Sequence, residues 1–498
     1  MNPTNQKLTD LFAPLQTLFN CNSVASIYWA IACWSGWRIP QPLRFASYGF
    51  ASYAIVIICV LGSLGCQRNS TSSLRQGRIV GGSMAPHFLG DHFEVQCKGC
   101  SSEVVADFEQ SQKSQALICP FCGTSNPVSD CRRRPSDRVK IELDSESISR
   151  WDVVAFELLS AHQAGIEEAG IKRVVGLPGE TIEIREGNLW LNGNLIRKTI
   201  DQQKRTRVLI HDSRKTNFET ALWQPVDSQG LRLEGAGHRF EEGRFKFDSQ
   251  NENSMMRWFE FCNQRNYEHK LDEKEASDQA GDQAGDQAVW AWPIEDSYGY
   301  NQSLWRNLNV VDEIFVSLKL ATASISCVGW KYGNGGTYEI QVDFEDRALT
   351  LLKHRQAGQI STELFKLPDR ALRTPEVEIE FSTIDGLAVV LIAGVEVARF
   401  ELESPAKNSS EAKRASSPLQ IGIAFGATAV AGEDPLSRVR VWRDIYYLPA
   451  DEAAESQTLG GSPDGYLLLG DNQPISIDSR HWPQAGVPRE QLIGKVRK

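Results

Sequence analysis

The stretch IKRVVGLPGETIEIREGNLWLNGNLI, residues 171–196, decides how the rest of the chain is read. Ile171–Val175 is an apolar run broken by Lys172 and Arg173, and Pro178-Gly179 follows it, so the run reads as a strand ending in a turn. TIEI (181–184) and NLWL (188–191) alternate apolar and polar residues on either side of Glu186-Gly187, the pattern of a half-buried hairpin. Asn192-Gly193 is a second turn signal.

Outward from this hairpin the chain continues as short strands. HFEV (92–95), DRVKIEL (137–143) and RWDVVAFEL (150–158) precede it. In GYLLLGDNQPISIDSRHWPQAGVPREQLIGKV (465–496) a buried run meets a Gly-Asp-Asn turn and a further strand follows. Between about 206 and 450 the strands become more numerous, as in EIFVSLKL, TYEIQVDF and RVRVWRDIYYL, with turn signals such as Asp385-Gly386 at the spacing of a β-sandwich. Glu378, Glu380 and Asp385 in this region read as a solvated strand face. DEKEASDQAGDQAGDQA (272–288) and the 403–418 stretch read as disordered loops, being polar and too poor in apolar residues to bury anything.

Length and composition set bounds. At 498 residues the chain has room for roughly three domains. A net charge of -10 argues against a general nucleic-acid binder, which needs a basic surface for phosphates. FASYGFASYAIVIICVLGSLGC (45–66) has no charged side chain and is about the 20 residues a helix needs to cross a bilayer. Arg38 and Arg44 precede it and place that flank in the cytoplasm, so the bulk of the chain is expected outside it, although Arg68, Arg75 and Arg78 on the far flank pull the other way. A shorter apolar stretch at 24–37 reads as a first helix or an interfacial segment. The competing reading is a cleaved signal peptide, since LGSLGC faintly resembles a lipoprotein box ending at Cys66. QRNSTSSLRQG (67–77) reads as a polar linker.

Cys97, Cys100, Cys119 and Cys122 form two Cys-x-x-Cys knuckles, the spacing of a zinc ribbon, and four thiolates suit tetrahedral zinc. Such a zinc is structural, because four thiolates leave no open position. Two disulfides are the alternative in a non-cytoplasmic compartment.

Ser83 stands in GGSMAPHFLGD (81–91), between two glycines and Met-Ala-Pro. By itself this is a turn. To act as a nucleophile the serine needs a base. His87 is close in sequence, and no Gly-x-Ser-x-Gly elbow is present. A lysine serves instead if burial lowers its pKa, and Lys172 within its apolar run fits that demand, the other reading being a surface lysine at a strand end.

Four separated segments together resemble the type I signal peptidases. GGSMAPHFLGD resembles their Ser-Met-x-Pro box, RWDVVAF (150–156) their Arg-Gly-Asp-Val-Val box, KRVVGLPGETIEIREGNLWLNG (172–193) their lysine box, and GDNQPISIDSRHWPQAGVPREQLIGKV (470–496) their C-terminal box. The order agrees, and an apolar segment stands just before the serine. The resemblance covers about 66–96, 133–200 and 460–498, under half of the chain.

The resemblance implies a mainly β, membrane-anchored catalytic core of the signal-peptidase type. Inserted in it are the ribbon read from the cysteine spacing and a β-sandwich that resembles a concanavalin-like or laminin G-like jelly roll, above all in IDGLAVVLIAGVEVARFELE (384–403) and RVRVWRDIYYL (438–448). The expected organisation is an anchor at 1–66, core segments at 67–96, 132–205 and 451–498, the ribbon-like insert at 97–131 and the sandwich at 206–450. Ser83 is then the nucleophile, Lys172 the general base and Ser476 the residue that orients Lys172. The Ser83 N–H supplies an oxyanion donor. Arg173, Asp471, Asp478 and Arg480 support the site, and Met84 and Pro86 shape the substrate groove. No cofactor is needed for catalysis. The implied substrates are secreted preproteins with small residues at −1 and −3, cut close to the lipid bilayer, with the catalytic domain on the non-cytoplasmic side of the cytoplasmic (inner) membrane. The sandwich is left with a glycan, a cell-wall polymer or a protein as candidate ligand, or with a shielding role.

The sequence departs from the family pattern in places. Gln473-Pro474-Ile475 replaces a polar run, Gly81 stands where some relatives carry a serine, and Trp151 stands where glycine is usual. Two other readings stay open: a related Ser/Lys self-cleaving protease, and a catalytically degenerate member acting as an envelope adaptor through its sandwich.

Overall fold

The 171–196 stretch folds into strands Ala169–Gly176, Thr181–Arg185 and Asn188–Leu191. Glu186 and Gly187 take φ of 51° and 78°, and Asn192 and Gly193 take 52° and 78°. Two successive left-handed residues are what a two-residue hairpin turn demands, and this explains Glu-Gly and Asn-Gly at these places. The computed structural model describes residues 74–498 apart from 144–146, 158–168, 216–222, 227–237, 242–243, 248–255, 262–293, 305, 322–324, 334–336, 355–359, 368–375, 403–416, 426–435 and 461–462. The chain divides into two units, Met1–Ser70 and Thr71–Lys498, and the described residues all belong to the second. The apolar segments at 24–37 and 45–66, and the 272–288 tract, lie outside the described residues. Among the described residues no helix is long and apolar enough to cross a membrane.

The protein is mainly β. A seven-stranded antiparallel sheet is assembled from distant parts of the chain, in the spatial order Leu74–Arg78, Arg138–Glu142, Leu492–Arg497, Val153–Glu157, Ala169–Gly176, Gly465–Leu469 and Gly486–Pro488. Leu74–Arg78, read from sequence as the end of a polar linker, is the edge strand of this sheet and pairs with Arg138–Glu142. Arg75, Gln76 and Arg78 stay exposed, as suits an edge strand with one open flank. A smaller sheet carries the hairpin, with Ser456–Gly460 beside Thr181–Arg185.

The region from Val208 onward forms two stacked antiparallel sheets. One has Val208–Asp212, Leu436–Arg443, Ile314–Ala321, Glu376–Ser382, Leu387–Ile392 and Val395–Glu401 in order. The other runs Trp223–Val226, Arg257–Phe261, Ser417–Phe425, Ile325–Gly333, Thr337–Asp343, Ala348–His354 and Ile360–Lys366. Val316, Leu318 and Leu320 alternate inward from the first sheet and share one apolar core with Val328, Trp330, Ile340 and Ile421 of the second. Trp330 and Phe381 meet across the gap with ring centroids 5.1 Å apart.

The outer face of the first sheet is also covered. Phe315, Val389, Leu391 and Trp442 pack there with Ile200 of the short helix Ile200–Thr206. That helix, absent from the strand reading, starts with a complete capping box between Thr199 and Gln202. Thr-x-x-Gln before Ile200 is a signal that could have found it.

The reading of Glu378, Glu380 and Asp385 as a solvated face needs correction. Glu380 and Asp385 are buried. Glu380 pairs with Lys204 at 2.6 Å, and Asp385 shares the fully buried Lys198 ammonium with Asp444 at 2.7 and 2.8 Å. Only Glu378 stays partly open, paired with Arg440 at 2.6 Å. The carboxylates turn inward because the helix and the 197–199 segment lay lysines over that side of the sheet.

Trp151, in the position of the family's glycine, has φ of 75° and is 2 % exposed. It packs with Tyr447 and under the Lys198 ammonium, 4.9 Å from the ring. Left-handed backbone costs an L residue about 1–2 kcal/mol, which the buried indole must outweigh. Trp151→Ala and Trp151→Gly should therefore both destabilise the fold, by about 3–5 kcal/mol for alanine. The glycine variant, although smaller, should be the more stable of the two in urea unfolding; an alanine variant as stable as glycine would remove the strain argument.

Candidate active site

Lys172 and Arg173 are neighbours on one strand and so point to opposite faces of the sheet. Val154 lies directly across from Lys172, and Val154, Val174 and Leu468 form an apolar cluster on that face. Lys172 is 6 % exposed and makes no ion pair or hydrogen bond among the described residues. Burial is the dominant cause of its lowered pKa, about 8, with Arg480 acting in the same direction and Asp478 and Asp471 opposing.

The partner strand Gly465–Leu469 pairs Leu468 with Val174 and Leu469 with Arg173. One step further, the register brings Gly470 level with Lys172 and onto the same face. A Cβ at Gly470 would lie 2.5 Å from the Ser83 carbonyl oxygen and nearer still to the Ser476 hydroxyl. Position 470 must therefore be glycine, and Ser83 and Ser476 both close over it. The Ser476 hydroxyl is buried and has no hydrogen-bond partner among the described residues.

Ser83 itself is half-buried in a tight loop. Ala85 N–H donates to the Gly82 carbonyl at 3.0 Å, and Phe88 N–H to the Met84 carbonyl at 3.0 Å. Gly81 has φ of 73°, which its lack of a Cβ permits. Pro86 is exposed, whereas Met84 is fully buried among Ile79, Phe88, Val139 and Val153. Met84 thus roots the loop in the sheet's core, and Pro86 is the exposed member of the pair expected to shape a substrate groove.

On the other face Arg173 clasps Asp471 with two bonds, Nε to Oδ1 at 2.7 Å and a terminal nitrogen to Oδ2 at 2.6 Å, and donates to the Trp151 carbonyl at 2.9 Å. Burial alone would raise the Asp471 pKa, but Arg173 and His87 override it and hold the carboxyl well below the usual carboxylate range. His87 Nδ1 lies 2.8 Å from Asp471, and its Nε2 is 3.1 Å from the Arg207 carbonyl. His87 thus faces Asp471 with one ring nitrogen and the Arg207 carbonyl with the other, which braces the Ser83 loop against the C-terminal loop.

Asp478 and Arg480 form the other half of the frame. Arg480 binds both carboxylate oxygens of Asp478 at 2.8 Å and reaches the carbonyls of Leu448, Gln473 and Ser476. Asp478 accepts from Gly470 N–H at 2.9 Å. The altered 473–475 run is built into the same loop: Gln473 bonds the Gly470 carbonyl at 2.5 Å and accepts from Leu448 N–H. Ile475 packs over Gly82.

The four cysteines converge. Their sulfur atoms lie within 4.8 Å of one another, with Cys97 to Cys122 and Cys100 to Cys119 each at 3.5 Å. The two knuckles are built alike. Cys97 N–H donates to Ser102 and Ser101 N–H back to Cys97, while Cys119 N–H donates to Thr124 and Gly123 N–H back to Cys119. Ser101 and Gly123 both have positive φ.

Sequence reasoning missed the segment 294–304. Tyr298 hydroxyl donates to the Asp471 carbonyl at 2.7 Å, Asn301 pairs with Asn472, and the Tyr300 ring lies against Gly82. Gln302 bonds both the N–H and the carbonyl of Ile118 beside the cysteines. No catalytic motif marks this stretch, because its role is to bond main-chain groups that are remote in sequence.

Residues 70–237 match the family model described as signal peptidase, peptidase S26. A signal peptidase I of Leptolyngbya laminosa is 29% identical over 114 residues, 19% of this chain and 56% of that protein. The chain thus spans about half the length of this curated relative. The resemblance to type I signal peptidases stands on these two matches as well as on the four boxes. Among solved structures, the galectin LEC-6 of Caenorhabditis elegans is 16% identical, covering 26% of this chain and 81% of its own, with a TM-score of 0.19. The carbohydrate binding module CBM66 from Bacillus subtilis is 9% identical over 27% of this chain and 73% of its own, with a TM-score of 0.17. The CBM40 of a Ruminococcus gnavus sialidase is 12% identical over 28% of this chain and 80% of its own, with a TM-score of 0.19.

A buried lysine without a counter-ion weakens the fold while it is charged. Its folded pKa, about 8, lies below the unfolded value, which is about 10.4. The penalty is therefore full below the folded pKa and is relieved as pH rises toward the unfolded one. Lys172→Met should be more stable than the parent at pH 7, by about 1–3 kcal/mol in denaturant unfolding. That advantage should shrink as pH rises from about 8 to about 10.4; a pH-independent difference would contradict an uncompensated ammonium.

Proposed function

We propose that the protein is a membrane-bound serine endopeptidase that removes signal peptides from secreted preproteins with a Ser83/Lys172 dyad. The observation that carries the proposal is Lys172: a buried lysine with a depressed pKa, unpaired, level with the glycine over which Ser83 and Ser476 close. The matches to the signal peptidase family support the reaction class.

In this reading neutral Lys172 takes the proton from Ser83 Oγ as it attacks the scissile carbonyl. The Ser83 N–H faces the oxyanion of the tetrahedral intermediate, where a fixed donor stabilises developing charge. Protonated Lys172 returns its proton to the departing amine. It then activates the water that hydrolyses the acyl ester and frees Ser83. Ser476, whose buried hydroxyl has no other hydrogen-bond partner among the described residues, would accept from the Lys172 amine as the site closes on substrate and keep it aimed. Asp471, Arg173, Asp478 and Arg480 hold the two loops together without touching the substrate.

The substrates are preproteins with small residues at −1 and −3. The membrane setting rests on the apolar segment that ends at Cys66, just ahead of Ser83. Val80 and Ile477, two of the large apolar side chains left exposed, are 75% and 70% exposed and lie three residues before Ser83 and one after Ser476. They suit an apolar substrate or a bilayer surface. The catalytic region is placed on the non-cytoplasmic side of the cytoplasmic membrane, on the strength of Arg38 and Arg44.

Cys97, Cys100, Cys119 and Cys122 would hold one structural zinc. Tetrahedral zinc with sulfur at about 2.3 Å puts neighbouring sulfurs about 3.8 Å apart, and two pairs at 3.5 Å with all four inside 4.8 Å are compatible with such a site. Asn126 Nδ2 reaches the Cys97 sulfur at 3.7 Å, a contact that would steady a thiolate ligand. For the sandwich, its architecture admits a glycan or a protein as ligand and selects neither.

Purified full-length protein should cleave a preprotein after the small −1 residue, while Ser83→Ala and Lys172→Met should lose activity by at least about 10³-fold. Since the neutral amine is the active form, kcat/KM should rise with pH through about 8, the depressed pKa of Lys172. Folded wild type that cleaves nothing in a panel of preproteins would sink the reading. Native mass spectrometry should find one zinc per chain, lost in Cys119→Ser; a metal-free mass for the wild type, with pairwise-oxidised cysteines, would assign disulfides instead.

A further inference from the structure

We propose that Asn301, contributed by the region between the sandwich strands, is a positioning residue for the Ser83 loop, acting through Asn472. The inference rests on the reading of Ser83 as nucleophile and extends the working site to a residue far from every catalytic box.

The two side-chain amides pair reciprocally. Asn301 Nδ2 donates to Asn472 Oδ1 at 2.7 Å, and Asn472 Nδ2 donates to Asn301 Oδ1 at 2.9 Å. Both residues are buried. The Asn472 Nδ2 has a second acceptor, the Gly82 carbonyl, at 3.0 Å, and the Asn472 main-chain N–H donates to the Ser83 carbonyl at 3.0 Å. Asn472 thus grips the carbonyls on both sides of the nucleophile's Cα. An amide has two flat orientations, and only one turns Nδ2 toward Gly82. In the other, Oδ1 would oppose the Gly82 carbonyl, acceptor against acceptor, in a place water does not reach.

The Gly82 carbonyl selects this orientation, and Asn301 keeps it satisfied, because it offers a donor to Oδ1 and an acceptor to Nδ2 where the buried Asn472 amide would otherwise be left unpaired. Its main chain is anchored, the Asn301 N–H donating to the Tyr298 carbonyl at 2.9 Å. Tyr298 is bonded to the Asp471 carbonyl at 2.7 Å. The Tyr300 ring lies so close to Gly82 that no side chain fits there. The 294–304 segment therefore completes the seat of the nucleophile, since the four boxes alone do not supply Asn472 with a side-chain partner.

Removing Asn301 should move Ser83 relative to Lys172 without touching substrate, so kcat should fall and KM should not follow. A small displacement of a reacting atom costs up to about 10²-fold in rate. The experiment compares full-length wild type, Ser83→Ala, Asn301→Ala and Asn301→Asp on one preprotein, with folded protein quantified by near-ultraviolet circular dichroism. Asn301→Asp keeps the size and an acceptor but loses the donor, so it decides the matter if the alanine variant does not fold. The expected result is a fall in kcat per folded molecule of about 10- to 100-fold with KM within about threefold, and an unshifted acidic limb of the pH profile, because Lys172 keeps its surroundings. Unchanged kcat per folded molecule in the folded variants would reduce Asn301 to a structural role and overturn the inference. An inactive wild type, or an active Ser83→Ala, would instead bring down the nucleophile reading and the inference with it.

Discussion

The structure turns on the buried pair between Arg173 and Asp471. Both groups are almost fully enclosed, and a buried ion pair holds only when its remaining bonding capacity is satisfied. That requirement draws the rest inward. Arg173 uses another nitrogen on the Trp151 carbonyl, and Asp471 takes His87 as a further neighbour. The His87 contact ties the Ser83 loop to the C-terminal loop. Asp471 lies between Gly470, on which Ser83 and Ser476 converge, and Asn472, which bonds the carbonyls of Gly82 and Ser83. One cation on one strand thus orders segments separated by hundreds of positions.

The adjacent residue does the opposite. Lys172 is one position away and equally enclosed, but it points to the other face, where Val154, Val174 and Leu468 offer no counter-charge. The alternation of a strand separates a structural cation from a chemically usable amine with no loop between them. The two carboxylates nearest the site, Asp471 and Asp478, are each committed to arginine. They influence Lys172 only at a distance and do not neutralise it.

The extra regions are fastened to this centre. Arg207 stacks on Trp442, 3.7 Å from the ring centroid, and offers its carbonyl to His87. Lys198 joins the core side to Asp385 and Asp444 of the sandwich. Gln302 bonds the strand next to the cysteine knuckles while its neighbour Asn301 bonds Asn472. A sandwich and a cysteine module joined to the Ser83 loop by hydrogen bonds are parts of one mechanical unit, whatever else their outer surfaces do.

Much of this was legible without coordinates. Turn chemistry located the hairpins at Glu186-Gly187 and Asn192-Gly193, alternation marked the sandwich strands, and the knuckle spacing brought four cysteines together. These are local properties, set by backbone sterics and by the two-residue period of a strand. The boxes singled out Ser83, Lys172 and Ser476, but not why position 470 is glycine or how Met84 is used. The edge strand at Leu74–Arg78, the inward turn of Glu380 and Asp385, and the brace from Tyr298 to Gln302 had no periodic or compositional mark. Hydrogen bonds to main-chain groups constrain shape and leave side-chain identity on the other partner free, so they write no pattern into the chain. The sequence by itself determined where the chain turns and which residues the family resemblance singles out. Only the tertiary structure decided which buried charge is compensated and which is not, because that depends on which distant strand lies across from each residue.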